Sequence, residues 1–149
     1  MATTHTSIHA LLTLPFNHST AFTELADNCE RFMDALVECD VPAEKFALYG
    51  RLSACLALLQ PTLLESVPDC LKESLTVDDF PTRLPTFEPE PDQLGHYCQV
   101  LTQHLMSGSF TPDAERVIKD LLYELVGFYA DTLKTPRWIR TDEGTIAIN

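Results

Sequence analysis

Residues 111–134 read TPDAERVIKDLLYELVGFYADTLK, and this stretch carries the clearest structural signal in the chain. It opens with a strong helix start. The Thr111 side chain can cap the first turn, Pro112 at the first helical position loses no needed hydrogen bond, and Asp113 meets the positive end of the helix dipole. Apolar side chains then recur every three or four residues, which is the period of one helix face. The stretch predicts a long amphipathic α-helix ending near Lys134.

Helical patterns also occur in other segments of the chain. Residues 92–106 keep one apolar face, residues 42–60 are apolar over most of their circumference, and residues 20–38 have an apolar and an acidic side. A short first helix is predicted over residues 7–14, before a proline. These patterns predict an all-α protein, a compact bundle of about five helices, in which residues 42–60 form the central and most buried helix.

A proline-rich segment and a short tail depart from the helical pattern. Residues 81–91 hold four prolines, which remove backbone donors and favour extended geometry, so a linker or a strap is predicted within a single helical domain over residues 1–136. Residues 137–149 follow as a tail, in which two β-prone runs flank Asp142-Glu143-Gly144 and indicate a β-hairpin. Because a lone hairpin is marginal in water, we expect the tail to dock on its own helices or on a second subunit of a homodimer.

Net charge restricts the classes of partner. Ten lysines and arginines against 22 aspartates and glutamates give a net charge of −12. A surface of this sign repels phosphate backbones, so direct binding of nucleic acid is not expected. Residues 1–92 hold 15 acids and five bases, against seven and five in residues 93–149, so the acidic surface belongs mainly to the first part. The partner expected on electrostatic grounds is a protein with a basic surface.

Cysteine usage and hydropathy bear on the compartment. Five cysteines stand singly, without a CxxC pair, and their odd number argues against a disulfide framework. The N-terminus lacks the basic region of a signal peptide. The longest apolar run, near Leu52 to Leu59, is far short of the ~20 residues that cross a bilayer. We therefore expect a cytoplasmic protein without membrane contact.

A line of carboxylates is the most informative surface feature. Asp27, Glu30, Asp34 and Glu38 follow one another in steps of three and four residues, so they lie on one side of the predicted helix over residues 20–38. Like charges at this spacing destabilise a helix by roughly 0.2 to 0.5 kcal/mol per pair. Two interpretations remain open: a docking site for a basic partner, and an ordinary solvated face.

The tail supplies a second candidate site. Arg137, Trp138 and Arg140 combine the residue types that are enriched where protein interfaces concentrate their binding energy. The alternative is that Trp138 packs against the chain's own helices, as a large aromatic side chain commonly does.

No constellation of residues predicts catalysis, a metal or a cofactor. His5 and His9 are one helical turn apart, but no Asp, Glu or Cys stands nearby to complete a metal site. The five glycines are isolated, so no phosphate-binding loop is present. We therefore expect no catalytic, metal or cofactor-binding residues and no cofactor.

Three classes of function are compatible with these features. The first is a non-enzymatic regulator or inhibitor that docks a basic protein surface, for which mimicry of nucleic acid is one form. The second is an acidic chaperone or assembly factor for a protein client. The third is a helical enzyme whose active site has no recognisable sequence motif.

Overall fold

Five α-helices and a two-stranded hairpin make up the described part of the chain, residues 8–148 of a computed structural model. This architecture confirms the predicted all-α class with a small C-terminal hairpin. The elements are α1 over 8–12, α2 (Phe22–Glu38), α3 (Pro42–Thr62), α4 (Pro91–Met106), α5 (Pro112–Lys134), β1 (Trp138–Thr141) and β2 (Gly144–Ala147). A single 3₁₀ turn covers Asp69–Leu71. None of the described helices has the length and hydropathy that a membrane span requires.

The elements group into two compact units, unit 1 (Met1–Phe80) and unit 2 (Pro81–Asn149). Unit 1 contains α1 to α3, and unit 2 contains α4, α5 and the hairpin. The boundary falls where the proline-rich segment begins, and residues 81–90 have no regular structure and are mostly exposed. The division into a helical domain over residues 1–136 and a separate tail stays a prediction.

The core of unit 1 forms where α2 packs on α3. The side chains that α2 buries recur at helical spacing. Asn28 is one of them, and because it is polar the hydrophobic pattern does not predict its burial. Buried in this core are Ile8, Leu25, Phe32, Leu36, Cys39, Leu48 and Cys55. Burying a Leu or Phe side chain stabilises a fold by about 1.5 to 3 kcal/mol, so this small set dominates the stability of unit 1.

The burial of α3 differs from the prediction. In α3, which is wholly described, only Leu48 and Cys55 are buried, whereas Phe46 is 83% exposed and Leu56 is 49% exposed. The prediction that α3 is the most buried helix is therefore wrong. Within unit 1, α2 and the segment around α1 cover only one side of α3, so the apolar side chains on its other side are exposed.

The Arg51 side chain of α3 contacts the N-terminal segment and holds it against the helices of unit 1. The Arg51 guanidinium carbon lies 4.3 Å from the centre of the Phe16 ring, and its Nη2 donates a hydrogen bond to the Leu14 carbonyl. The Phe16 ring in turn meets the buried Phe32 ring edge to face, with centres 6.1 Å apart. A half-buried cation over an aromatic face contributes roughly 1 kcal/mol, so Arg51 positions this segment beside α2.

In unit 2, α4 and α5 form a helical hairpin. Gly108 follows α4 with a φ of 67°, a conformation that glycine adopts without strain. The predicted start of α5 is confirmed, because the Ala114 N–H donates to the Thr111 hydroxyl at 3.3 Å. Only Leu94 and Cys98 are buried among the described residues of unit 2, so one thin apolar layer joins the two helices.

The C-terminal strands pair in antiparallel register. Trp138 lies opposite Ala147 and Thr141 opposite Gly144, which leaves a tight two-residue turn. Gly144 has a φ of 126°, a region that favours glycine. In the described part of unit 2 the strands pair with each other, and Trp138, Ile139 and Ile146 are each more than half exposed.

Candidate functional site

The structure brings the four predicted carboxylates together on one side of α2. Asp27, Glu30, Asp34 and Glu38 all fall within this single helix and are all exposed. The opposite side of α2 carries the buried Leu25, Phe32 and Leu36. The amphipathic pattern therefore places this acidic stripe, as we name the four residues, directly away from the core of unit 1.

The acidic stripe is not neutralised within the described part of the chain. Across residues 8–148 no lysine, arginine or histidine lies within ion-pair distance of any of its four carboxylates. Arg31 is the nearest base in sequence and is also exposed on α2. Because it stands four residues after Asp27 and three before Asp34, helical spacing puts it on the same side. One cation beside four anions leaves the surface strongly negative.

A cleft runs along one flank of the acidic stripe. Its walls come from the N-terminal segment and from α2, and its volume is about 400 Å³. Asp34 and Glu38 border it together with Leu11 and Leu14. Carboxylates thus stand beside apolar side chains at the edge of one concave surface.

An apolar groove runs along the other flank, between α2 and α3. Glu30 and Asp34 form its acidic edge, and Met33, Leu52 and Leu56 supply most of its apolar wall. Met33 is 45% exposed and Leu56 is 49% exposed, so this wall is open to a partner. The charge pattern did not predict this groove, although the sequence places Met33 on the apolar side of α2.

One cysteine lines this groove, and it contacts a second cysteine that is buried. Cys29 lines the groove, and the neighbouring Cys55 is fully buried, with its thiol donating to the Leu25 carbonyl at 3.2 Å. Burial raises the pKa of Cys55 to about 11, and its contact with Cys29 acts in the same direction. A thiol held in its protonated form is a poor nucleophile, so Cys55 serves packing rather than covalent chemistry.

The arrangement offers charge and apolar contact on one surface. The carboxylates of the acidic stripe are in water, whereas acid–base catalysis relies on a partly dry pocket. Within residues 8–148, no three His, Cys, Asp or Glu side chains converge as a metal site would require. His9 is exposed, and His5 lies outside the described residues.

The second candidate site lies on the hairpin in unit 2. Trp138 is 63% exposed, and Arg137 and Arg140 are exposed as well. Successive residues of a strand point to opposite faces, so Trp138 and Arg140 of β1 lie on one side of the hairpin, and Arg137 directly precedes the strand. The Arg137 guanidinium reaches back to the Leu133 carbonyl at 3.5 Å. These three residues belong to unit 2, whereas the acidic stripe belongs to unit 1.

Compared with known proteins, the chain matches no family model, no curated protein and no solved structure.

Proposed function

We propose that this chain is a non-enzymatic binding protein, a regulator or inhibitor that docks a basic surface of another protein through the acidic stripe of α2. The observation that carries the proposal is the combination on one side of unit 1. Four exposed carboxylates, without ion pairs to any described residue, lie between a cleft and a groove with apolar walls. One surface therefore offers both long-range electrostatic attraction and short-range apolar contact.

The geometry of this surface supports a partner that presents basic and apolar side chains together. Lysine or arginine side chains at similar spacing would meet the acidic stripe, and apolar side chains beside them would enter the groove lined by Met33, Leu52 and Leu56. Exposed ion pairs contribute only about 0.2 to 1 kcal/mol each, so the apolar contacts supply much of the affinity and the charges speed association. A nucleic-acid-binding protein is one such partner, in which case the acidic stripe takes the place of phosphates.

We place the protein in the cytoplasm. All five cysteines fall within residues 8–148 and all are free thiols, among them the exposed Cys70. Unpaired cysteines are typical of a reducing compartment, which supports this location.

The test compares charge reversals inside and outside the acidic stripe. The chain is immobilised as wild type, as Asp34→Lys/Glu38→Lys, and as Asp78→Lys/Asp79→Lys. The last variant carries the same change in charge on exposed acids that are not part of the acidic stripe. A cell extract is passed over each and eluted with a salt gradient. Wild type and control should retain basic proteins that modest salt releases, because screening weakens charge contacts, and the stripe variant should lose them.

Folding is measured in parallel for the three proteins. Removing like-charge pairs should leave the stability of the stripe variant unchanged or higher by tenths of a kcal/mol. If both variants bind the same basic proteins as the wild type, the acidic stripe is only a solvated face. If both lose them equally, net charge rather than the acidic stripe is responsible.

A second candidate function rests on the apolar surface. Many large apolar side chains are exposed, among them Phe46, Leu64 and Phe80, and surfaces of this kind bind unassembled clients. An acidic chaperone or assembly factor would retain an apolar client that persists at high salt, which separates it from the regulator in the same experiment.

A further inference from the structure

The two helices that form the apolar groove run antiparallel. The Cys55 thiol of α3 donates to the Leu25 carbonyl in the first half of α2. At the other end of the pair, the Cys39 thiol just after α2 donates to the carboxylate of Glu44 in the first turn of α3, at 3.7 Å. An antiparallel helical hairpin therefore bounds the groove on both sides, with α2 as one wall and α3 as the other.

The apolar walls of the groove extend toward the connection between the two helices. Val37 stands four residues after Met33 on α2, and Tyr49 stands three residues before Leu52 on α3, so helical spacing places both on the groove side. Val37 is 81% exposed and Tyr49 is 57% exposed. From Cys29 to Val37 the wall of α2 rises about 12 Å, which is slightly more than two helical turns.

Charge is confined to one edge of the groove. Among its lining residues in the described part of the chain, the charged ones are Glu30 and Asp34, and both belong to α2, whereas α3 contributes Leu52 and Leu56. The cleft on the other flank of the acidic stripe differs, because Arg31 lines it and repels a cationic partner. A partner in the groove therefore gains most by presenting basic side chains on one flank and uncharged side chains on the other.

The groove offers its occupant no backbone hydrogen bonds. The backbone groups of α2 and α3 at this level pair within their own helices. An extended peptide laid on Met33, Leu52 and Leu56 would bury N–H and C=O groups without partners, which is costly away from water. An α-helix pairs its own backbone groups internally, so it can lie on this apolar surface without that cost.

The helices of unit 2 and a second copy of the chain do not match the charge of the groove. α4 has no lysine or arginine, and α5 has three against five acids. A second copy that met this one through the same groove would bring its own acidic stripe close, and the two would repel each other. The occupant that charge favours is therefore a helix of a different protein with more bases than acids.

We infer that the groove between α2 and α3 binds an amphipathic α-helix of the basic partner. This binding mode rests on the proposed function and adds the conformation of the bound segment. Apolar side chains of that helix, three or four residues apart, lie on Met33, Leu52 and Leu56, and its flank toward α2 carries lysines or arginines. Glu30 and Asp34 are four residues apart, a rise of about 6 Å, so two bases four residues apart on the bound helix match them.

The test uses two fluorescent synthetic peptides made of the same leucines, lysines and glutamines. Each has about 16 residues, which is long enough to form a helix on binding. In the helical peptide the leucines recur every three or four residues and the lysines fill one flank. In the alternating peptide the same residues alternate between apolar and polar, as in a strand. By fluorescence anisotropy, the full chain should bind the helical peptide at least about tenfold more tightly. Difference circular dichroism should show a gain of helix in that complex.

Variants of the full chain separate contact with the groove from charge in general. Leu56→Gln should raise the dissociation constant of the helical peptide about tenfold, because it removes an apolar contact. Phe46→Gln makes a similar change on α3 at an 83% exposed position that does not line the groove, and should bind as the wild type does. Glu30→Gln/Asp34→Gln should weaken binding about fivefold at low salt and have little effect at high salt, where the attraction is already screened.

Three outcomes would overturn the helical binding mode. Equal affinity for the two peptides, or binding without a gain of helix, would assign the groove to an extended segment or to charge alone. Equal binding by Leu56→Gln and Phe46→Gln would place the peptide elsewhere. A doubled molar mass by light scattering that Leu56→Gln abolishes would show that a second copy covers the groove. Circular dichroism checks that Leu56→Gln is folded, and if it is not, Met33→Gln replaces it.

The extract experiment separates this binding mode from the proposed function. If Asp34→Lys/Glu38→Lys still retains the basic proteins, the proposed function is wrong. If that variant loses them while Leu56→Gln retains them up to the same salt concentration as the wild type, the proposed function stands and the helical binding mode is wrong.

Discussion

At the scale of single residues, the buried polar groups of unit 1 distinguish this core from a purely apolar one. Asn28 is 98% buried, as its exposed fraction is 2%, and its amide nitrogen has no hydrogen-bond partner among the described residues. Nearby in sequence, Cys29 contacts the buried Cys55. An unsatisfied buried amide costs about 1 to 3 kcal/mol, so the core of unit 1 tolerates a polar group at a measurable expense of stability.

The raised pKa of Cys55 has a consequence for stability at alkaline pH. A free thiol with its usual pKa of 9.0 loses its proton before the folded one, whose pKa is about 11. The folded state therefore holds more protons between these values, and its stability is complete below pH 9 and falls as the pH rises toward 11. We expect a loss of up to about 2 kcal/mol across this window.

Denaturant titrations at several pH values check this prediction. The Cys55→Ala variant should lack this part of the pH dependence, although its stability is lower at every pH. The matched control is Cys70→Ala, which removes an exposed thiol and should keep the wild-type slope. The prediction is wrong if wild type and Cys55→Ala lose stability in parallel above pH 9.

At the scale of elements, the hydrophobic pattern predicts which side of α2 is exposed but not which side of α3 is. In α2 the apolar and acidic sides are separate, and the acidic side predicted from spacing is the exposed one. In α3 apolar residues surround the whole helix, so periodicity does not say which side is covered. The packing of α2 decides this, by covering Leu48 and Cys55 and leaving Leu56 half exposed.

Two leucines of α3 therefore differ in their importance for folding. Leu48→Ala should lower the free energy of unfolding by about 2 to 5 kcal/mol, because it leaves a cavity in a fully covered site. Leu56→Ala should cost clearly less, about 1 kcal/mol, since half of that side chain is already in water. Urea denaturation of both variants measures the difference. Equal losses would mean that the exposed side of α3 is covered in solution.

At the scale of the whole molecule, the chain is organised as two units joined through a proline-rich segment. Each unit has its own core, centred on Phe32 and Leu48 in unit 1 and on Leu94 and Cys98 in unit 2. Residues 81–90 have no helix or strand and are mostly exposed. Proteases cut exposed chain that lacks backbone hydrogen bonds, so this segment is the expected site of cleavage.

Limited trypsin digestion should therefore cut first after Arg83, which is exposed within that segment. The expected products are two fragments, one ending at Arg83 and one beginning at Leu84, identified by mass spectrometry. Arg83→Gln should slow the first cut without changing the helical content. Initial cleavage inside α5, at Arg116 or Lys119, would show instead that the α4–α5 pair opens more readily than the segment between the units.

How much of this structure could be predicted depends on the range of the interactions involved. Helix positions, the Thr111 cap, the presence of the hairpin and the acidic stripe follow from chemistry within a few residues, so local patterns in the sequence were sufficient for them. The hairpin turn is one residue shorter than the predicted loop, because Gly144 pairs with Thr141 as part of β2. Which side of α3 is covered, the burial of Asn28, the contact of Arg51 with Phe16 and the groove beside Met33 depend on residues far apart in the chain. Periodicity describes one helix at a time, whereas burial is shared between two. Those features were therefore decided only when the helices packed together.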